Sequence, residues 1–105
     1  MGLIVIAAFK PHVGKEEELL RIIAERLPLL RRLGLATERR PMLVRSREGA
    51  IIEISEWVSE EAIARAHGEP EVLALWERYE RCCTYVRLNT LAEAGEDFAV
   101  FEAID

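Results

Sequence analysis

The chain has 105 residues, half of them apolar and 31% charged, with 14 Lys and Arg against 19 Asp and Glu for a net charge of −5. That length and balance fit one folded domain, residues 1–105, and exclude a disordered tail or two cores joined by a linker. The acidic balance, with basic residues clustered only at Arg31-Arg32 and Arg39-Arg40, argues against a nucleic-acid surface, which lines up Lys and Arg along one face.

No apolar stretch reaches the roughly 18 residues of a membrane helix. The run Gly2 to Phe9 lacks the basic start and cleavage site of a secretory leader, so the expected location is the cytoplasm. The two cysteines, Cys82 and Cys83, are adjacent, cannot close a relaxed disulfide on each other and lack C-x-x-C spacing. They read as ordinary thiols.

Leu3 to Phe9 is continuously apolar and rich in Ile and Val, the pattern of a strand buried on both faces. One layer of helices covers only one face of a sheet, so the second face calls for another cover, most economically a second copy of the chain. Lys10-Pro11-His12-Val13-Gly14 ends the strand, and Glu16, Glu17 and Glu18 suit the start of a helix. Leu19, Ile23, Leu27, Leu30 and Leu33 form an apolar stripe along it, Pro28 is a place for a kink, and Gly34 is the stop.

Met42 to Arg47 and Ala50 to Trp57, joined at Glu48-Gly49, predict a β-hairpin that Pro41 enters. Ser59 suits an N-cap for a short helix that Gly68 closes. Pro70 then opens another, with Val72, Leu75, Trp76, Tyr79 and Cys83 as its apolar stripe. Tyr85 to Leu91 alternates like a strand, Ala92 to Asp97 reads as a turn or short helix, and Phe98 to Ile104 as a final strand. The order is β-α-β-β-α-β with the second helical region in two pieces, an α+β ferredoxin-like arrangement with an antiparallel sheet.

The run Glu53-Ile54-Ser55-Glu56-Trp57-Val58-Ser59-Glu60-Glu61-Ala62, then His67 and the Pro70-Glu71-Val72 helix with Trp76, resembles the antibiotic-biosynthesis-monooxygenase-like group. The apolar first strand leading through Pro11 and Gly14 into an acidic helix start is similar too. The resemblance implies a homodimeric α+β barrel with a cleft between each sheet and its own helices, holding a small hydrophobic or aromatic molecule. Some members of the group oxygenate polyketide-like molecules without metal or flavin, others degrade haem, isomerise lactones or quench signalling molecules. For this chain it implies a cofactor-independent oxygenase, the alternative being a non-catalytic small-molecule-binding or structural dimer module. Fold likeness by itself does not decide between the two.

Among ionisable residues His67, near a helix end, has the chemistry of a base at neutral pH. Its bland role is a hydrogen bond at the helix terminus. Trp57 and His67 lie ten residues apart, a spacing similar to the Trp and axial His of the haem-degrading branch. The Asn that this branch carries in its first strand is replaced by the stretch Ile6-Ala7-Ala8-Phe9, so haem is the minor expectation and no cofactor the main one.

Trp57, Trp76 and Tyr79 either line a cleft and stack on a ring or pack as core. Glu53 and Glu56 sit on opposite faces of one strand, so they do not form a facing pair. Glu53, on the face of Trp57, is either a buried acid or base, or the partner of Arg45 on the neighbouring strand. His12, in the first loop, either reaches the mouth of the cleft or is solvated. No P-loop, G-x-G-x-x-G, G-x-S-x-G or zinc-ligand spacing is present.

Overall fold

The computed structural model of the chain describes residues 2–105. The elements are β1 (Leu3–Pro11), α1 (Glu16–Arg32), β2 (Met42–Arg45), β3 (Ile51–Trp57), α2 (Glu60–Ala66), α3 (Pro70–Cys82), β4 (Cys83–Val86) and β5 (Glu102–Ala103). They form one antiparallel sheet in the order β4-β1-β3-β2-β5. The helices pack on one face, which is the ferredoxin-like α+β fold.

The strand pair at the centre sets what each face receives. In the β1–β3 register Val5 lies beside Ser55, Ala7 beside Glu53 and Phe9 beside Ile51; Ile4, Ile6 and Ala8 alternate with them beside Glu56, Ile54 and Ile52. The first set looks toward the helices, where Phe9 and Ile51 join Leu19, Ile22, Leu75 and Tyr79 in the main core. Burying each Leu or Ile of that cluster contributes about 1.5–3 kcal/mol before the entropy of ordering is set against it. The second set faces away from the helices, which accounts for the doubly apolar pattern of the strand.

α1 begins at Glu16, two residues after Gly14, and runs through Pro28 to Arg32 without a break. Gly34 then adopts φ +76°, a left-handed conformation that glycine enters without a Cβ clash, and its N–H donates to the Arg31 carbonyl at 3.0 Å. Gly49 does the same for the hairpin at φ +93°, with Ser46 N–H donating to the Ala50 carbonyl at 2.8 Å. Ser59 caps α2, accepting from the Ala62 N–H at 3.1 Å. Pro70 is the first residue of α3.

The C-terminal third departs from expectation. Cys83 leaves the α3 stripe and opens β4 instead, pairing with Pro11, so that the fourth strand is Cys83–Val86 and not Tyr85 to Leu91. Only Glu102 and Ala103 of the predicted last strand pair, forming β5 on the free edge of β2. Between these strands the segment makes two 3-10 turns, Leu88–Thr90 and Ala92–Gly95, and lays Leu91 and Phe101 against Val44 and Ile52 on the outer sheet face. Glu93, fully buried, holds that segment down by accepting from Ser46 Oγ at 3.0 Å and from the Arg47 N–H at 2.8 Å. The cover is partial: Ile4 remains 53% exposed, Ile6 45% and Met42 57%.

Among the described residues no helix is long and apolar enough to cross a membrane. Both cysteines are free and buried. Burial pushes the Cys83 thiol up to about 12, which keeps it protonated and unreactive near neutral pH.

Candidate functional site

The site begins with two charged residues in apolar positions. On α1 the buried face comprises Leu19, Ile22, Ile23, Arg26, Leu27 and Leu30, so the one charged member falls in the middle of the helical stripe. On β3 the inward positions are Ile51, Glu53, Ser55 and Trp57, with Glu53 only 2% exposed. The two meet as a buried ion pair in which Arg26 Nη1 donates to Glu53 Oε1. The Arg26 guanidinium carbon also lies 5.8 Å from the centre of the Trp57 ring, within cation–π range.

Register explains this partnership. Glu53 has Leu43 beside it on β2 and Ala7 on β1, and the short Ala7 side chain leaves space above the sheet for a long side chain from α1. The expected partner Arg45 lies beside Ile51 and is taken by Glu16 at 2.9 Å and by Glu102 on β5. The Glu53–Arg45 pair is thus replaced by Glu53–Arg26.

Burial outweighs the Arg26 charge and lifts the Glu53 carboxyl above its ordinary value. Three buried polar atoms nearby have no hydrogen-bond partner among the described residues: Ser55 Oγ, Trp57 Nε1 and the Tyr79 hydroxyl. Burial also raises the Tyr79 phenol far above its usual range, so it is a donor and not an anion. Unpaired buried polar groups are costly, and of the three only the Tyr79 hydroxyl belongs to a residue that lines a cavity, where an additional group could complete its hydrogen bonding.

Two cavities lie between sheet and helices, one on each side of the ion pair. The first, a cleft of about 290 Å³, is lined by Ala7, Phe9, Arg26, Trp76, Tyr79 and Tyr85, with Glu80 at its edge. Phe9 and Tyr79 stack along its wall with ring centres 5.0 Å apart. The second, about 300 Å³, lies between α1 and β2 and is lined by Leu20, Ile23, Leu27, Leu43 and Glu53, with Arg31 and Asp105 as its further charged groups. Both approach the lower end of small-molecule sites, roughly 300 Å³. The aromatic cleft presents the cationic member of the pair, and the second cavity its anionic member.

Of the residues singled out from sequence, Trp76 and Tyr79 line the cleft. Trp57 is buried behind Arg26, and Glu53 opens on the second cavity. His67 is exposed at the C-cap of α2; its Nδ1 lies 3.0 Å from the Ile63 carbonyl and its ring meets the edge of Trp76 at 5.1 Å. It lines neither cavity and reaches the cleft only through Trp76. His12 is exposed, 3.3 Å from Thr84 Oγ1 by its Nε2, beside the first loop and outside both cavities.

Trp57 and His67 do not share a cavity, so these residues do not fit an axially ligated haem. Arg26, Phe9 and Tyr85 were not anticipated. Arg26 had a readable signal, a charge at an inward position of an apolar helix stripe; Tyr85 and Phe9 had none that marked them as lining.

No protein-family model and no curated protein matches this chain. A solved structure does: SnoaB, a cofactor-independent oxygenase from Streptomyces nogalater, superposes with a TM-score of 0.65 over 79% of this chain and 84% of SnoaB, at 21% sequence identity. The order of the sheet, the helices on one face and this superposition agree, and the chain has the ferredoxin-like α+β fold that SnoaB also has.

Proposed function

We propose that the chain binds a small aromatic molecule in the Phe9–Trp76–Tyr79–Tyr85 cleft and oxygenates it without a cofactor. The observation that carries this reading is a cationic group, Arg26, presented in an aromatic cleft beside an unpartnered Tyr79 hydroxyl and backed by a buried carboxylate. Rings line the walls for stacking, Arg26 and Tyr79 donate to an oxygen of the bound molecule, and Glu53, behind Arg26 and raised by burial above its ordinary value, is the proton acceptor. Removing a proton from an activated CH₂ leaves a carbanion that the aromatic system delocalises; it reacts with O₂, and CH₂ plus O₂ becomes C=O plus H₂O. That SnoaB is a cofactor-independent oxygenase supports the reading.

In this reading His67 orients Trp76 and does not carry the proton. The chain works as a homodimer joined through the outer sheet face, where Ile4, Ile6 and Met42 supply the exposed apolar surface. A second reading, a binding module without turnover, is favoured by one feature: Arg26 and Glu53 satisfy each other as a buried pair.

The test is fluorescence quenching of Trp76 by a tricyclic aromatic ketone bearing an activated CH₂, followed by O₂ uptake with an electrode. Quenching with O₂ uptake, lost in Glu53→Gln and retained in His67→Ala, is the expected result. Quenching without O₂ uptake selects the binding module. Absence of quenching up to the solubility limit of the probe ends both readings.

A further inference from the structure

The cleft touches Arg26 but not Glu53, and the second cavity touches Glu53 but not Arg26. The pair is therefore a partition, with its acid turned away from the aromatic cleft. Ala7, the register partner of Glu53, does line the cleft, so Glu53 stands on the strand position beside the cleft wall while its open side faces α1 and β2. Exposed residues frame the second cavity: Ala24 and Pro28 on α1 and the terminal Asp105, with Arg31 half-buried among them.

We propose that this second cavity is the connection of Glu53 to water, so that Glu53 exchanges its proton between α1 and β2 and not through the cleft. The inference rests on the proposed reading for the origin of the proton, but not for the route. The proton balance is simple. The bound molecule gives its proton to Glu53 and its anionic oxygen takes the place of the carboxylate on Arg26. Glu53 releases that proton to water in the second cavity and draws one back by the same route for the peroxide, which loses H₂O to form the carbonyl. Net release is zero, and Glu53 pairs with Arg26 again when the product leaves. Arg31 from α1 and Asp105 lie on this route, and Arg26 from α1 and Tyr79 from α3 face Glu53 from the side of the cleft. Separate entry for the ring and exit for the proton keeps water out of the cleft, where it would quench a carbanion.

Access to Glu53 is measurable without any substrate. A water-soluble carbodiimide adds to a carboxyl group, and an added amine displaces the resulting urea to leave an amide; peptide mass mapping of the full chain then gives the rate at Glu53, with exposed carboxylates such as Glu60 and Glu61 as internal controls. Ala24→Trp narrows the second cavity from an exposed position, and Glu80→Trp narrows the cleft. Labelling of Glu53 is expected to slow by about tenfold in Ala24→Trp, the factor that accompanies ~1.4 kcal/mol of added opening cost. Glu80→Trp is expected to leave it unchanged.

If Ala24→Trp melts at a much lower temperature than the wild type, the smaller Ala24→Leu replaces it. Protection by Glu80→Trp in place of Ala24→Trp, equal rates in all three proteins, or no labelling of Glu53 in the wild type would each overturn the proposal. Aromatic probes that fail to bind would end the proposed function and leave the labelling pattern as it stands, so the two failures are distinguishable.

Discussion

Arg26→Leu removes the partner of a carboxylate that is 2% exposed. Breaking a buried pair from one side costs about 3–5 kcal/mol, because the remaining charge is left without compensation in a medium that solvates it poorly. A domain of this size holds only about 5–15 kcal/mol in total, and each kcal/mol moves Tm by roughly 4–8 °C.

The loss depends on pH with a definite sign. The folded-state value of Glu53 is already raised above 4.5, so the folded protein holds a proton that the unfolded chain releases, and stability falls as pH rises from 4.5 through that raised value. Without Arg26 the folded value rises further and the window widens upward. The deficit of Arg26→Leu is therefore smallest below pH 4.5, where Glu53 is neutral in both states, and largest above the raised folded value. Urea unfolding followed by Trp fluorescence at several pH values measures it, with Arg26→Met/Glu53→Leu as the companion. The double variant has no orphan charge and is expected to recover most of the loss or to exceed wild-type stability. A loss from Arg26→Leu under about 1 kcal/mol at pH 7, or a double variant as unstable as the single one, would refute a buried ion pair at this position.

Tyr79→Phe removes a hydroxyl that has no partner, so stability is expected to stay within about 1 kcal/mol of wild type or to rise, while a phenolic probe binds roughly tenfold more weakly. Thermal melting and fluorescence titration separate the two effects. Ile6→Asp places a charge on the exposed apolar face of the sheet, and sedimentation is expected to show a monomer in place of the proposed dimer with the circular dichroism unchanged. Glu93→Ala releases the C-terminal segment from Ser46 and Arg47, so amide exchange over residues 88–103 is expected to rise while α1 stays protected. Because the Arg47 N–H bond holds the Glu93 carboxyl below its ordinary value, the same anchoring is present above pH 4.5 and is lost as the pH falls through the depressed folded value.

Much of the fold was legible from local chemistry. The period-2 run of β3, the apolar stripe of α1, Gly34 and Gly49 at left-handed turns, Ser59 as a cap and Pro70 at a helix start each act through their own few neighbours, so their positions determine α1, α2, the start of α3 and the hairpin. The doubly apolar β1 likewise announced an apolar outer face, which the C-terminal segment covers in part.

The partnership of Arg26 with Glu53 was decided only by tertiary structure. It depends on α1 crossing above β3 at the point where Ala7 leaves space, and Arg45, nearer in the sheet, was engaged by two other acids. His67 shows the same limit in reverse: its residue type suited a base, but the end of α2 turned it to solvent against Trp76. Sequence pattern reports which way a residue faces relative to its own element. Which two elements then meet, and which side of a buried pair opens on which cavity, follows from packing between residues that are 27 positions apart in the chain, and no local signal carries that information.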